Sequence, residues 1–299
     1  MRALAIAAVL AAACGQAERK GTADAPHAAP RTEAEGALEV TMMNLEEVTW
    51  PAQEPDTPKT MRIAVLEGVF PFGPEKTFTA LIEFDPGVEV PPHSHPTIER
   101  ITVLTGAVEL GTGREPDRSK AKALSPGALS LIPPGQPHWG TTGSSKTLLY
   151  IHGVGPHNDP RAVDPSAAAP LPPRHDAAIA APLMMNATEA AFGPPLAGLP
   201  AGASVAVLEG DPRRADVEYT LRVRLPAGTR MGAHAHPTHE RMVVLSGTVS
   251  VRAGATSKEM RPGGFVLIPA GQAHELLARE DSVVQLQGLG PLRFDRARP

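Results

Sequence analysis

Two stretches of the chain carry the same metal-binding residue types at the same spacing. Each begins and ends with glycine, Gly87 to Gly106 in the first and Gly228 to Gly247 in the second. Within each, two histidines stand one residue apart and a glutamate follows four residues after the second. These residues are His93, His95 and Glu99, and then His234, His236 and Glu240. Two imidazoles and a carboxylate suit a first-row divalent metal with open coordination positions.

Strand geometry predicts that these side chains share a face. Alternate side chains of a strand point the same way, so His93 and His95 have the same orientation. Glu99 has the same parity if the strand continues past Pro96. Each stretch therefore supplies three convergent ligands.

A second repeated block offers the fourth ligand. Pro133-x-Gly135 and Pro269-x-Gly271 are typical of turns, and a histidine follows each glycine by three residues. These histidines are His138 and His274. A closed barrel would bring the strand that begins there beside the His-x-His strand.

The repeat extends over most of the chain. Met42-Met43-Asn44 is matched by Met184-Met185-Asn186, and the block before Pro156 by the block before Pro291. Repeats of this length indicate a tandem domain duplication rather than a solenoid. We predict a first domain at 40–158, a Pro/Ala-rich linker at 159–180 and a second domain at 181–299.

The hydrophobic pattern predicts an all-β protein. Short apolar or alternating runs end at Gly or Pro, as at Arg100–Leu104 and Phe265–Ile268. No segment has the pattern of a long amphipathic helix. Many short strands with regular turn signals indicate a closed barrel or sandwich.

The two blocks together resemble the motifs of the cupin superfamily. Both copies match the pattern Gly, five residues, His-x-His, three residues, Glu, six residues, Gly, and both match the Pro-x-Gly and His core of the second motif. One departure is that Thr142 and Ala278 stand where the family often has asparagine. This weakens a link to germin-like oxalate enzymes but leaves the ligands untouched.

The resemblance implies a bicupin: two tandem double-stranded β-helix (jelly-roll) barrels, each holding up to one divalent metal. Fe, Mn, Cu, Ni and Zn are not distinguished by this ligand set. The implied metal ligands are His93, His95, Glu99 and His138 in the first domain, and His234, His236, Glu240 and His274 in the second.

Residues outside the motifs differ between the copies. Tyr150 and His152 alternate with apolar residues, where the second unit has Gln285 and Gln287. If the apolar alternates face outward, Tyr150 and His152 line the barrel as candidate catalytic groups for proton transfer. The alternative is that they lie on a solvated face.

Two arginines directly follow the ligand glutamates. Arg100 and Arg241 are expected either to pair with acidic groups between the units or to lie on an exposed strand face.

The N-terminus predicts export. Met1-Arg2 and the apolar run to Ala13 fit a signal peptide over residues 1–14. The run leads into Cys14-Gly15, which resembles a bacterial lipobox and predicts a lipid anchor on Cys14, in the periplasm or at the outer membrane. The alternative is ordinary cleavage and secretion. Residues 15–39 lack hydrophobic periodicity and are typical of a flexible tether.

The charge of the chain argues against one class of partner. The formal net charge is -4 and lysine and arginine form no run, which argues against nucleic-acid binding. We expect a small-molecule partner, and leave open an assembly of identical copies. The leading hypothesis is a metal-dependent oxidoreductase of the dioxygenase type, and the alternative is a cupin that binds a small molecule or metal without turnover.

Overall fold

The computed structural model describes residues 38–52, 58–69, 76–157 and 179–296. The predicted signal peptide, Cys14, nearly all of the predicted tether and most of the predicted linker lie outside these residues. In the described part, no helix is long and apolar enough to cross a membrane.

The strands of the first half and the short helices near them are as follows: β1 (Thr41–Met43), β2 (Met61–Glu67), β3 (Thr77–Phe84), β4 (Glu89–His93), β5 (Glu99–Thr105), β6 (Val108–Thr112), β7 (Lys122–Leu124), β8 (Leu129–Ile132), β9 (His138–Thr142) and β10 (Thr147–Val154), with 3₁₀ helices at Leu45–Glu47 and Arg118–Lys120.

The second half contains β11 (Leu183–Met185), β12 (Ser204–Glu209), β13 (Glu218–Leu225), β14 (Arg230–Ala235), β15 (Glu240–Ser246), β16 (Val249–Ala253), β17 (Thr256–Met260), β18 (Phe265–Ile268), β19 (His274–Ala278), β20 (Ser282–Leu289) and β21 (Asp295–Arg296), with a 3₁₀ helix at Ala187–Glu189.

Each half forms a barrel of two antiparallel sheets. In the first, the order β11-β8-β5-β10-β3-β2 packs against β4-β9-β6-β7; in the second, β1-β18-β15-β20-β13-β12 packs against β17-β16-β19-β14-β21. Apolar side chains from both sheets fill each interior, such as Ile101 of β5 and Val108 of β6 in the first. The all-β prediction of two tandem barrels is confirmed.

The opening strand of each repeat pairs with the other barrel. β1 joins the edge of the second barrel, with Met42 opposite Val266 of β18. β11 joins the first barrel, with Met184 opposite Ser130 of β8. The two barrels therefore exchange their first strands, which the pattern of the sequence did not predict.

The barrels also share an apolar interface. Buried side chains of the first half, including Leu81 and Leu148, cluster with Val243, Phe265 and Leu267 of the second. The sheet that contains β10 is consequently covered on both sides, since one face lines its own barrel and the other meets the partner barrel.

Candidate metal centre

Antiparallel pairing places the predicted ligands together. His93 at the end of β4 lies directly opposite His138 at the start of β9. In the second barrel, His234 of β14 lies opposite His274 of β19. Directly opposite residues present their side chains on the same face of the sheet, which explains how two separate sequence blocks supply one site.

A turn with a glycine bonds to the backbone of the second histidine of each His-x-His pair. Gly135 has a φ of 69° and donates its N–H to the carbonyl of His95 at 2.7 Å. Gly271, at 75°, makes the same bond to His236 at 2.8 Å. Glycine adopts this left-handed conformation without steric cost, so the Pro-x-Gly turn fixes the approach of His138 and His274.

The first cluster contains four convergent ligands. One donor atom from each of its four members lies within 4.8 Å of the others; the members are His93, His95, Glu99 and His138. The Nε2 atom of His138 lies 2.8 Å from Glu99 Oε2, and that of His95 lies 3.8 Å from Glu99 Oε1. This set could hold one divalent cation.

The second cluster is less regular. The donor atoms of His234, His236 and His274 lie within 4.8 Å of one another. Glu240 is not part of that close group, although its Oε2 is 2.9 Å from His274 Nε2 and 3.4 Å from His236 Nε2. Its carboxylate contacts two of the three histidines rather than sitting equally among all of them.

Every predicted ligand histidine is oriented by a backbone carbonyl. The accepting carbonyls belong to Pro91, His157, Gln136, Gly232, Arg293 and Gln272, at 2.6–3.1 Å from the Nδ1 atoms of His93, His95, His138, His234, His236 and His274 respectively. A carbonyl only accepts, so each Nδ1 carries hydrogen. In a neutral ring the Nε2 lone pair then faces the cluster, which is the tautomer that binds a metal.

Burial and the charges of neighbouring ligands together shift the pKa values in the first cluster. Burial lowers the pKa of His93 to about 4, with repulsion from His138 acting in the same direction. Burial by itself raises the pKa of Glu99, but attraction to His95 and His138 outweighs it and holds that pKa well below its usual range. A neutral imidazole beside an ionised carboxylate is the state that coordinates a cation.

The first cluster opens onto an apolar cavity of about 120 Å³. Aliphatic and aromatic side chains from both sheets form its wall; they include Phe78, Ile82, Leu110, Leu149 and Ile151. The barrel therefore has room beside the ligands for a small molecule.

The second cluster has almost no such space. The cavity beside it is about 20 Å³. The ring of Phe294 lies 5.0 Å from that of His236 and 5.5 Å from that of His234, and β21 pairs with β14 at His234. The segment that ends in β21 covers this site.

The structure adds a histidine that sequence reasoning missed. His157 is buried, and its ring stacks on His95 at 4.0 Å with an interplanar angle of 13°. Its Nε2 lies 3.6 Å from Glu99 Oε1. The sequence offered one signal for it. The matched blocks end at Pro156 and Pro291, and the next residue is His157 in the first copy but Leu292 in the second.

Tyr150 and His152 adopt neither of the two orientations that the sequence left open. Leu149 and Ile151 line the cavity, whereas Tyr150 belongs to the apolar cluster between the barrels. His152 is on the same face of β10 as Tyr150, and its Nδ1 lies 3.1 Å from Thr79 Oγ1. A proton-transfer role for Tyr150 and His152 at the first cluster therefore loses its geometric basis.

The two arginines lie between the barrels. Arg100 donates to both carboxylate oxygens of Glu209, at 2.7 and 2.6 Å, and to Glu218 at 2.6 Å. Arg241 donates to Glu67 at 2.7 and 2.5 Å. Of the two alternatives, pairing with acidic groups between the units is therefore the one observed.

The fold resembles solved cupin structures. A cupin 2 conserved barrel domain protein from Leptotrichia buccalis matches with a TM-score of 0.54 and 11% identity, over 86% of this chain and 99% of that one. A salicylate 1,2-dioxygenase mutant from Pseudoaminobacter salicylatoxidans gives 0.52 and 14%, over 73% and 71%. Oxalate decarboxylase of Bacillus subtilis, with Mn(II) centres, gives 0.53 and 13%, over 94% and 87%. These likenesses establish the cupin fold.

The family is defined by sequence. Residues 74–292 match the model of a family described as a domain of unknown function, DUF4437, and the chain belongs to that family. No curated protein matches the sequence.

Proposed function

We propose that this protein is an exported, metal-dependent cupin oxidoreductase of the dioxygenase type, acting on a small molecule in its first barrel. The observation that carries the proposal is the coincidence of four convergent ligands with an adjoining cavity at His93, His95, Glu99 and His138. The neighbouring folds include a dioxygenase, which is consistent with this class of reaction.

The residues of the first barrel would bind the metal, surround it with apolar side chains and orient its ligands. His93, His95, Glu99 and His138 would hold a divalent metal, which when bound would supply Lewis acidity and, if redox-active, a site for dioxygen. The apolar wall excludes water from the ligands and strengthens electrostatic interactions there. The backbone carbonyls behind the histidines keep their Nε2 atoms directed at the cluster.

Elemental analysis combined with activity assays tests the proposal. We expect near-stoichiometric metal in the purified protein, and oxygen uptake with some members of a panel of catechols, flavonols, diketones and thiols. His138→Ala should abolish oxygen uptake. The matched variant His274→Ala should lower the metal content without abolishing oxygen uptake. Less than about a tenth of an equivalent of metal after metal-supplemented growth would refute a metal-dependent function.

A second candidate is binding without turnover. The closed second cluster favours it, since a metal held beneath Phe294 would have little room for substrate. A pure binder would show saturable binding and no product in the same assays.

Export is proposed from the sequence of residues 1–14. If Cys14 is lipidated, fatty-acid labelling and membrane association should both disappear in Cys14→Ser. Release of the unlabelled wild-type protein into the soluble periplasmic fraction would instead support ordinary signal cleavage.

A further inference from the structure

We infer that the first cavity recognises a compact, mostly apolar molecule about the size of one six-membered ring, through a hydrogen bond to His157. Its polar group would lie toward the ligand cluster. The inference rests on the proposed function and goes beyond it by naming the kind of molecule and the residue that selects it.

The cavity size sets the scale of the ligand. Its volume is about 120 Å³. An apolar protein cavity of about 150 Å³ accommodates benzene, so this cavity limits the apolar body of the ligand to about one ring, with any polar substituent directed at the metal ligands.

Charge argues against a compact dianion. Among the described residues that line the cavity, none is lysine or arginine. A second negative charge on a small ligand would be buried against aliphatic side chains without a partner, which is costly. An apolar body in the same position gains from leaving water.

A buried polar atom of the cavity wall lacks a partner among the described residues. It is the Nδ1 of His157, on a side chain that is 8% exposed. A buried donor or acceptor without a partner is destabilising, so this atom is suited to a ligand that completes its hydrogen bond.

The second barrel has a leucine at the position of His157. This residue, Leu292, packs against the second core. Among the described residues, the recognition group therefore occurs in the barrel with the larger cavity.

Trp139 adjoins the cavity and can report binding. The chain has two tryptophans, so Trp50→Phe leaves Trp139 as the single fluorophore. Zinc-loaded Trp50→Phe protein would be titrated with benzoate and, separately, with oxalate. We expect benzoate to alter the fluorescence saturably and to bind at least about tenfold more tightly than oxalate.

Variants at His157 then test recognition. His157→Leu, which introduces the residue of the second barrel, should weaken benzoate binding about tenfold, and His157→Gln should recover part of it because the amide retains hydrogen bonding. His239→Leu is the control for loss of a histidine outside the cavity. Unchanged circular dichroism and zinc content would show that each variant is folded and loaded.

The outcomes separate the inference from the proposed function. Oxalate binding as tight as benzoate, or no saturable benzoate binding, would overturn the apolar class. Unaltered benzoate affinity in His157→Leu would overturn the role of His157. Zinc below about a tenth of an equivalent would refute the metal site itself, and the same titrations of the metal-free Trp50→Phe protein with benzoate and oxalate would then decide the class of ligand.

Discussion

Residues 149–152 alternate between two buried environments. Leu149 and Ile151 contact the cavity of the first barrel, Tyr150 packs in the cluster between the barrels, and His152 lies near Arg241 and Glu218 of the second barrel. Burial, reinforced by the positive charges of Arg241 and Arg100, lowers the pKa of His152 to about 3. His152 is therefore neutral at physiological pH and serves as a hydrogen-bonding residue of the interface.

The placement of His152 gives a prediction at the scale of one side chain. His152→Gln introduces the residue found at the matching position 287, and its amide can still bond Thr79. We expect unchanged metal content and turnover, with a change in unfolding free energy within about 1 kcal/mol. Elemental analysis, oxygen uptake and denaturant unfolding would measure these.

The neighbouring residue provides the contrast. Ile151→Gln places an amide in the apolar cavity and should destabilise the protein by about 1–3 kcal/mol. A loss of metal in His152→Gln comparable with that in His138→Ala would contradict the orientation described for β10.

At the scale of elements, the exchanged strands are held by matching polar contacts. Asn44, next to β1, donates to the carbonyl of Glu259 and accepts from the N–H of Arg261, both at 2.9 Å. Asn186, next to β11, donates to the carbonyl of Ala123 and accepts from the N–H of Ser125, both at 3.1 Å. Each asparagine thus fastens one half of the chain to the other barrel.

Because each asparagine bonds to the other barrel, its loss should destabilise that barrel. Asn44→Ala should destabilise the protein by about 1–3 kcal/mol, because two backbone groups of the second barrel lose their partners. Amide hydrogen exchange should increase in 256–268 of the second barrel rather than within the first.

The matched variant reverses the pattern. Asn186→Ala should increase exchange in 122–132 of the first barrel. If each variant instead affected the barrel nearer to it in sequence, the strand exchange would be refuted.

At the scale of the whole molecule, buried ion pairs connect the barrels. Arg241 from the second barrel pairs with Glu67 of the first. Burial by itself raises the pKa of Glu67, but Arg241 outweighs it and the pKa is lowered from 4.5. The folded protein therefore binds this proton less readily than the unfolded chain.

The pH dependence follows from that difference. The contribution of Glu67 to stability is present above the unfolded pKa of about 4.5 and is lost as the pH falls through the lower folded pKa. We predict that Glu67→Gln flattens the loss of unfolding free energy over this acidic range, measured by denaturant unfolding at several pH values.

Removing the cation alone should be more damaging. Arg241→Met leaves a buried carboxylate unpaired and should cost about 3–5 kcal/mol at neutral pH, and adding Glu67→Gln should restore part of it. The exposed pair of Arg213 and Asp211 is the control, where Arg213→Met should change stability by less than about 1 kcal/mol. Equal effects of Arg241→Met and Arg213→Met would contradict a buried role for the interface pair.

Local sequence patterns were enough to predict the barrels and the metal ligands of the first cluster. Alternation along strands and the fixed spacing of His-x-His, glutamate and the Pro-x-Gly turn are local properties, and the duplication stated each of them twice. They sufficed to predict the all-β fold and the four residues that meet in the first cluster.

The face of β10 that lines the barrel could be identified from the packing of the folded chain but not from the sequence. All but the last residue of β10 are buried, because one face meets the cavity and the other meets the second barrel. Alternation separates the two faces but does not say which one points inward when neither faces water. The strand exchange, the cover over the second cluster and the place of His157 likewise depend on contacts between segments distant in sequence, which no local pattern records.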